Sequence, residues 1–313
     1  MAPFQLDPEI ATFVAKTDSF YPPTANTATA AENRRIYDRM CAAFRTPYPP
    51  GVTATDAVLT AETPARSLRL RRYTCAKPQP GVALLYLHGG GFVLGGLDSH
   101  DDVCAELCAG AAIAVVALDY RLAPEHPYPA ALDDAIAAYA SLRAAGQRVV
   151  VAGDSAGGNL TAALCLRLRR LQQPAPLGQV LIYPGLGGDP ARAVQRGLAE
   201  APLLSIADTL HYRAVYAGGA DRIPKADPEF APLQATEFTN LPPAAIFAAG
   251  IDPLCPDAED YAAALKHAGV PVQYRNDPGL VHGHLRARHA SRIAGACFAA
   301  IVRAVGDLAR GAR

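Results

Sequence analysis

Short, uninterrupted apolar segments separated by helical stretches are the feature of this chain that most restricts its fold. The apolar segments occupy residues 82–87, 113–118, 149–152, 180–183 and 244–248. Helical patterns lie between and after them, at 100–109, 128–145, 156–171, 257–268 and 286–308. Strands without polar alternation are buried on both faces, and strands that alternate with helices form parallel sheets. The sequence therefore predicts an α/β fold with a mainly parallel sheet and helices on both faces.

Two more polar segments extend the predicted sheet, and one long interval interrupts it. Residues 68–73 alternate apolar and basic side chains, as a half-exposed edge strand does, and 271–275 form a more polar strand. Residues 185–227 are too long for one crossover helix and contain a helical stretch near 205–216. An insertion of this kind above a sheet is where a lid or substrate pocket lies.

The first 45 residues contain two helical stretches, at 7–16 and 28–44. They carry eight large apolar side chains: Phe4, Phe13, Phe20, Tyr21, Ile36, Tyr37, Met40 and Phe44. A solvated arm does not carry so many groups whose burial stabilises a fold. We therefore expect this segment to pack against the insertion near 203–216 and to close the pocket with it.

Composition excludes several classes of function. The 313 residues hold 29 basic and 29 acidic side chains, so no basic excess indicates a nucleic-acid or anionic-membrane partner. The longest apolar run, 108–118, is about half the ~20 residues of a membrane span, and no signal peptide is evident at the N-terminus.

The chain has seven cysteines, and an odd number in a long chain does not indicate a disulfide framework. Reduced thiols in the cytoplasm are therefore predicted. Cys104 and Cys108 could share a helix face with His100 as a metal cluster. Packing is the favoured interpretation, since free cysteine is among the most buried residue types. We expect no metal and no cofactor.

The sharpest local motif is Gly-Asp-Ser-Ala-Gly-Gly at 153–158, directly between a predicted strand and a predicted helix. A sharp strand-to-helix turn needs small residues two before and two after Ser155, and it lifts the hydroxyl clear of the backbone. The helix N-terminus beside it favours a developing anion. The alternative is a glycine-rich turn with a capping serine.

A second glycine motif, His-Gly-Gly-Gly-Phe at 88–92, ends the strand 82–87. Glycines leave backbone N–H groups unshielded, and an oxyanion needs two or three such donors aimed at one point. Gly90, Gly91 and Ala156 are the predicted donors, and His88 suits a role in bracing the loop. A phosphate-binding loop is the alternative, but no Lys-Ser/Thr pair or ribose-binding acid follows.

A serine nucleophile requires a base, and the base requires an orienting carboxylate. Asp252 follows the strand 244–248, and His282 lies in a loop before the last helix. Both positions are at the carboxyl edge of the predicted sheet, where catalytic groups lie on such folds. The rival candidates are Asp257, Glu259 and Asp260 for the acid, and His284 for the base.

Five motifs in this order resemble the hormone-sensitive-lipase-like branch of the α/β-hydrolase superfamily. They are HGGGF, the segment 119–134 (DYRLAPEHPYPAALDD), GDSAGGN, AGIDPL at 249–254 and GLVHG at 279–283. The resemblance implies an α/β-hydrolase core at 46–185 and 226–313, under a helical cap built from residues 1–45 and 186–225. It implies a cofactor-free carboxylesterase acting on short to medium acyl esters.

Carried onto this chain, the resemblance implies Ser155 as nucleophile, His282 as general base and Asp252 as its partner. It also implies an oxyanion hole at Gly90, Gly91 and Ala156. The chain departs from the family pattern in two places. Cys255 and Pro256 stand where an arginine and an aspartate are usual, and His284 replaces an aromatic residue.

The alternative functions would use the same residues as the predicted esterase. An amidase, peptidase or lactonase could employ the same triad, because fold and triad do not fix the leaving group. A ligand-binding receptor of this fold is disfavoured by the complete set of Ser155, Asp252 and His282. The expected partner is a small-molecule ester, and the sequence gives no oligomeric state.

Overall fold

A single eight-stranded sheet organises the chain in the computed structural model, which describes residues 4–22, 28–62 and 64–311. Its strands are β1 (Thr53–Glu62), β2 (Ala65–Thr74), β3 (Val82–Leu87), β4 (Ala114–Asp119), β5 (Arg148–Asp154), β6 (Gly178–Ile182), β7 (Ala244–Ile251) and β8 (Val272–Val281). Their spatial order is β1-β2-β4-β3-β5-β6-β7-β8. The pairs from β4 to β8 are parallel, while β1 and β2 join antiparallel.

Helices connect the strands and cover the sheet. They are α1 (Pro8–Asp18), α2 (Ala30–Ala42), α3 (Asp101–Ala111), α4 (Ala130–Ala144), α5 (Ala156–Arg170), α6 (Pro190–Gln195), α7 (Ile206–Ala217), α8 (Cys255–His267) and α9 (Arg292–Arg310). Short 3₁₀ turns occupy Leu97–His100, Ala220–Arg222, Pro232–Gln234 and His284–Ala287. This arrangement confirms the predicted mainly parallel sheet with helices on both faces.

The core has one layer on each side of the sheet because side chains alternate along every strand. Leu84 and Tyr86 of β3 face a layer that includes α3 and α9. Leu85 and Leu87 face the opposite layer, which includes α4, α5 and α8. All six residues of β3 are buried, as their uninterrupted apolar pattern predicts.

One sheet prediction is wrong. The segment 68–73 does not form the edge of the sheet, since β2 pairs with β1 on one side and β4 on the other. The edge strand β1 was not predicted, because its alanines and threonines give no apolar alternation and most of its residues are exposed. Only residues 63 and 64 separate β1 from β2, and antiparallel strands can pair across so short a connection.

The two N-terminal helices pack against different parts of the molecule. Ile10 and Phe13 of α1 are buried in the layer formed by α3 and α9, and Glu9 accepts a hydrogen bond from the backbone N–H of Arg292 at 2.7 Å. From α2, Tyr37 packs on a small cluster around Val93 and Leu94, where Tyr212 and Val215 of α7 also pack. Thus α2, rather than α1, lies near the predicted partner segment.

Among the helices of the described ranges, none combines the length and the apolar character that crossing a membrane requires. All seven cysteines are unpaired, and the cytoplasmic location stays a prediction. His100 makes polar contacts with Ser99 and Asp154, at 2.9 and 3.3 Å, rather than with Cys104.

Candidate active site

Ser155 occupies the sharp turn between β5 and α5. Its φ and ψ of 54° and −116° are strained for a residue with a side chain, and strain of this kind concentrates at functional sites. The Ser155 N–H donates to the carbonyl of Ile182 at 2.9 Å, which ties the turn to β6. A Cβ at Gly157 would overlap the carbonyl oxygen of Leu87, so glycine is required for this close approach. The sequence expectation for this turn matches its geometry.

Three predicted side chains form one hydrogen-bonded chain at the carboxyl ends of β5, β7 and β8. His282 Nε2 lies 3.0 Å from Ser155 Oγ, and His282 Nδ1 lies 2.7 Å from Asp252 Oδ2. Asp252 is fully buried, and its other oxygen accepts the Leu254 N–H at 2.8 Å. A carboxylate can only accept, so Nδ1 carries the proton and Nε2 is left to accept from the serine hydroxyl.

The other candidates for the catalytic acid have different hydrogen-bond or ion-pair partners. Asp257 accepts the backbone N–H groups of Leu186 and Gly188, at 2.7 and 3.2 Å. Glu259 and Asp260 form ion pairs with Arg196 and Arg192. None of these carboxylates has a hydrogen bond to a histidine among the described residues.

The rival base is buried apart from the serine. His284 Nδ1 lies 3.1 Å from the carbonyl of Val281, and the ring packs on Tyr183 with centroids 4.9 Å apart. Burial lowers the pKa of His284 to about 4, so the ring is neutral near pH 7. The geometry therefore brings His282, and not His284, to Ser155.

The three predicted oxyanion donors lie in the two glycine motifs. Gly90 and Gly91 adopt φ values of 123° and 61°, which favour glycine. In the described chain the N–H groups of Gly90, Gly91 and Ala156 donate to no protein acceptor. Ala156 opens α5, where the first N–H groups of a helix have no internal partner. These amides are free to bind an anion.

A cavity of about 100 Å³ lies against Ser155. It is lined by Phe92, Leu204, Ile206, Leu210, Tyr212, Tyr216, Phe230 and Leu254 among its larger side chains. Helix α7 therefore forms much of its wall, whereas no described residue among the first 45 lines it. The N-terminal contribution to the cavity is indirect, through the packing of α2 on the cluster that α7 also contacts.

A family model described as the alpha/beta hydrolase fold matches residues 84–286. The chain belongs to the α/β-hydrolase family. Esterase LipI from Mycobacterium tuberculosis is 40% identical to it over 251 residues, which cover 77% of this chain and 78% of the relative. This chain is a carboxylic ester hydrolase of that family.

Solved structures agree with the assignment of fold and branch. An ester hydrolase from the metagenome of Lake Arreo is 32% identical, with a TM-score of 0.87 and coverage of 96% of this chain and 98% of that one. An esterase from the bacterial hormone-sensitive lipase family is 25% identical, with a TM-score of 0.85 and coverage of 97% and 99%. The hydrolase thus belongs to the hormone-sensitive-lipase-like branch.

Asp154 is a buried member of the hydrolase site that sequence reasoning missed. Its Oδ1 accepts from Tyr86 Oη at 2.8 Å and from the Gly89 N–H at 2.9 Å. Burial opposes its charge, but His100, Arg286 and the Tyr86 hydroxyl outweigh burial and hold the pKa of Asp154 below its ordinary range. Asp154 directly precedes Ser155, so its hydrogen bond to Gly89 links the 88–92 loop to the end of β5. The sequence signal that could have identified Asp154 is its position directly before Ser155 in the motif.

His88 braces the same loop, as expected. The ring stacks on Tyr120 with centroids 4.2 Å apart, and its Nδ1 lies 2.9 Å from the carbonyl of Gly89. Burial and the neighbouring His100 lower the pKa of His88 to about 4, so the ring is neutral.

The departures from the family pattern have local structural roles. Cys255 and Pro256 begin α8, where proline is tolerated because the first helical N–H groups are unpaired. The Cys255 N–H donates to the carbonyl of Asp252 at 3.0 Å. The acid loop is therefore supported by backbone hydrogen bonds from Leu254 and Cys255.

Replacing Gly91 with alanine is expected to lower kcat roughly ten- to hundred-fold, by displacing a predicted oxyanion donor. A Cβ at Gly91 would lie 2.5 Å from Cγ of Tyr212, and the left-handed backbone disfavours alanine. The control is Gly146→Ala, which has a similar φ of 76° and no neighbour within 4 Å of the added carbon. Steady-state ester hydrolysis gives kcat for both variants. Equal rates for the two variants would contradict a role for the Gly91 amide.

The buried carboxyl of Asp257 predicts a pH-dependent difference in stability. Burial raises its pKa to about 6, from an ordinary value of 3.8, although hydrogen bonds from Leu186 and Gly188 oppose the shift. The folded chain binds this proton more tightly than the unfolded chain, so stability falls as pH rises through this interval.

The variant Asp257→Asn keeps an acceptor for those N–H groups but does not ionise. Between about pH 5 and about pH 8, we expect the wild type to lose about 1–2 kcal/mol more free energy of unfolding than Asp257→Asn. Urea unfolding at both pH values measures this difference, with exposed Asp221→Asn as control. Parallel changes in wild type and Asp257→Asn would show that Asp257 does not titrate in this interval.

Proposed function

We propose that this hydrolase is a serine carboxylesterase acting on short- to medium-chain acyl esters through Ser155, His282 and Asp252. The observation that carries the proposal is the uninterrupted hydrogen-bonded chain from Asp252 through His282 to Ser155 Oγ, at 2.7 and 3.0 Å. The three residues come from separate loops at one sheet edge.

In the proposed acylation step, Ser155 Oγ attacks the ester carbonyl carbon while His282 Nε2 takes the hydroxyl proton. The carbonyl oxygen becomes an oxyanion and accepts hydrogen bonds from the amides of Gly90, Gly91 and Ala156. The tetrahedral intermediate collapses, the C–O bond to the alcohol breaks, and the imidazolium returns its proton to the departing oxygen. Asp252 holds the ring and stabilises its charged form.

In deacylation, water replaces the alcohol. His282 takes a proton from the water as it attacks the acyl carbon, and the same amides bind the second oxyanion. Collapse releases the carboxylic acid and returns the proton to Ser155 Oγ. No cofactor enters either step.

The size and lining of the cavity support short acyl chains. An engineered apolar cavity of about 150 Å³ accepts benzene. A cavity of about 100 Å³ walled by Leu204, Ile206 and Leu210 suits a smaller apolar group. We therefore expect kcat/KM to be highest for short chains and to fall as the acyl group lengthens.

The proposed domain division follows the same site. Residues 186–225, which include α6 and α7, form a cap with residues 1–45, over a core at 46–185 and 226–313. The support is that α7 lines the cavity and that α2 packs on the same cluster as α7. Removing residues 1–45 should change the chain-length profile and favour aggregation. A monodisperse truncated protein with an unchanged profile would contradict this cap.

Initial rates on p-nitrophenyl esters of increasing acyl length, beside a matched p-nitroanilide, test the proposed activity. We expect rapid hydrolysis of the short esters and far slower cleavage of the anilide. Faster cleavage of the anilide would favour an amidase or peptidase, and preferential opening of a lactone would favour a lactonase. No turnover of any of them would favour a ligand-binding role.

A further inference from the structure

One cationic side chain lies in the wall of the catalytic cavity. The inward residues of α7 follow helical spacing, and Ile206, Leu210, Arg213 and Tyr216 all line the cavity. Three of these positions are apolar or aromatic. Arg213 is the charged exception on this face and is partly buried. Withdrawing a charge from water without a partner is costly, so its presence requires a specific reason.

Arg213 has no hydrogen-bond or ion-pair partner in the described part of the chain. It forms no hydrogen bond and no ion pair there, and its Nε is buried without an acceptor. Its guanidinium lies over the ring of Phe230, with Cζ 5.7 Å from the ring centroid. By contrast, the partly buried Arg167 of the neighbouring α5 pairs with both Asp133 and Glu229. The guanidinium donors of Arg213 thus have no protein acceptor, although the side chain lines the cavity.

The two carboxylates of the same wall do not neutralise Arg213. Asp189 accepts the Ala191 N–H at 2.9 Å and caps α6. Asp257 accepts the N–H groups of Leu186 and Gly188. Both carboxylates therefore have backbone donors, and no ion pair joins either of them to Arg213 in the described structure. The cavity combines apolar walls with one unpaired cation.

We propose that Arg213 binds a carboxylate group carried by the substrate, so that the preferred substrates are esters with a second, anionic end. This inference rests on the proposed esterase function. A guanidinium recognises a carboxylate through parallel charge-assisted hydrogen bonds, which a neutral group of the same shape cannot equal. The carboxylate can belong to the acyl half, as in a monoester of a dicarboxylic acid, or to the alcohol half, as in an ester of a hydroxy acid.

Matched pairs of substrates test the proposal in two arms. The acyl arm compares monoethyl glutarate with ethyl glutaramate, in which a neutral amide replaces the carboxylate. The alcohol arm compares 4-butyryloxybutanoate with 4-butyryloxybutanamide. Chromatography of the products gives kcat/KM for each, and the preference is the ratio of the charged to the neutral substrate. Because the ratio is formed within one protein, a general loss of activity in a variant cancels.

The wild type should prefer the charged substrate in one arm, and that arm identifies the half of the ester whose carboxylate reaches Arg213. In Arg213→Met this preference should fall roughly ten- to hundred-fold, mainly through KM, since a charge-assisted hydrogen bond is lost. Arg213→Lys should retain part of it. The control Arg222→Met removes an exposed cationic side chain from the same insertion and should leave the preference unchanged.

Two results would overturn the inference. One is a wild-type preference at or below unity in both arms, which needs no variant and so does not depend on how Arg213→Met folds. The other is an unchanged preference in Arg213→Met. If neutral esters are still hydrolysed in a Ser155-dependent manner, only the role of Arg213 fails. If the wild type hydrolyses no ester faster than Ser155→Ala does, the proposed function itself fails.

Discussion

Ser155→Ala is expected to lower kcat for ester hydrolysis by roughly a million-fold, as removal of a triad nucleophile does in serine hydrolases. The change deletes the one atom that would attack the substrate. It should leave the fold intact, because Ser155 Oγ makes a single side-chain hydrogen bond among the described residues, to His282. The strained turn is also held by the backbone hydrogen bond to Ile182 and by the glycines around it.

Steady-state rates on a short p-nitrophenyl ester measure this effect, with circular dichroism and thermal unfolding as checks on folding. The matched control is Ser141→Ala, which removes a hydroxyl from α4, a helix away from the cavity. Ser141→Ala should retain wild-type turnover. If Ser155→Ala kept even a tenth of wild-type turnover, Ser155 would not be the nucleophile.

The second large effect separates two histidines that lie two residues apart. His282→Ala should be about as damaging as Ser155→Ala, because the base and the nucleophile act as a unit. His284→Ala should cost far less activity. It should mainly lower the free energy of unfolding, because it removes a buried ring that packs on Tyr183.

Parallel measurements of kcat and of urea unfolding for the two variants distinguish these roles. His282 is partly buried and hydrogen-bonded to Ser155 and Asp252, so its loss should change kcat more than stability. The reverse order of activities, with His284→Ala the more damaging, would make His284 the base. That order would also require a rearrangement of the loop that follows β8.

The central strands and the residues that meet at the candidate site could be predicted from the sequence because both depend on local patterns. A run such as β3 is apolar throughout, and only a strand buried on both faces tolerates that pattern. The order of the motifs placed Ser155, Asp252 and His282 after three strands of the predicted parallel sheet, and parallel strands bring their carboxyl ends to one edge.

Features that depend on long-range contacts could not be predicted. The edge strand β1 is short of apolar residues because it is largely exposed, so nothing in its sequence distinguishes it from a loop. The role of Asp154 requires knowing that Tyr86, Gly89 and His100 surround it in the fold. The N-terminal segment was predicted to close the pocket together with the insertion near 203–216, but the sequence did not show that its two helices have different partners. Tyr37 of α2 packs on the cluster that α7 also contacts, whereas Ile10 and Phe13 of α1 are buried in the layer formed by α3 and α9.

Labelling with a fluorophosphonate probe, followed by mass spectrometry of the intact protein and of its peptides, tests the central claim most directly. The probe reacts with a serine only when a base and an oxyanion site activate its hydroxyl. We predict one adduct per chain, located at Ser155, slowed strongly by His282→Ala and absent from Ser155→Ala. A wild-type protein that remains unlabelled, or a Ser155→Ala variant labelled to the same extent, would contradict the proposed catalytic serine.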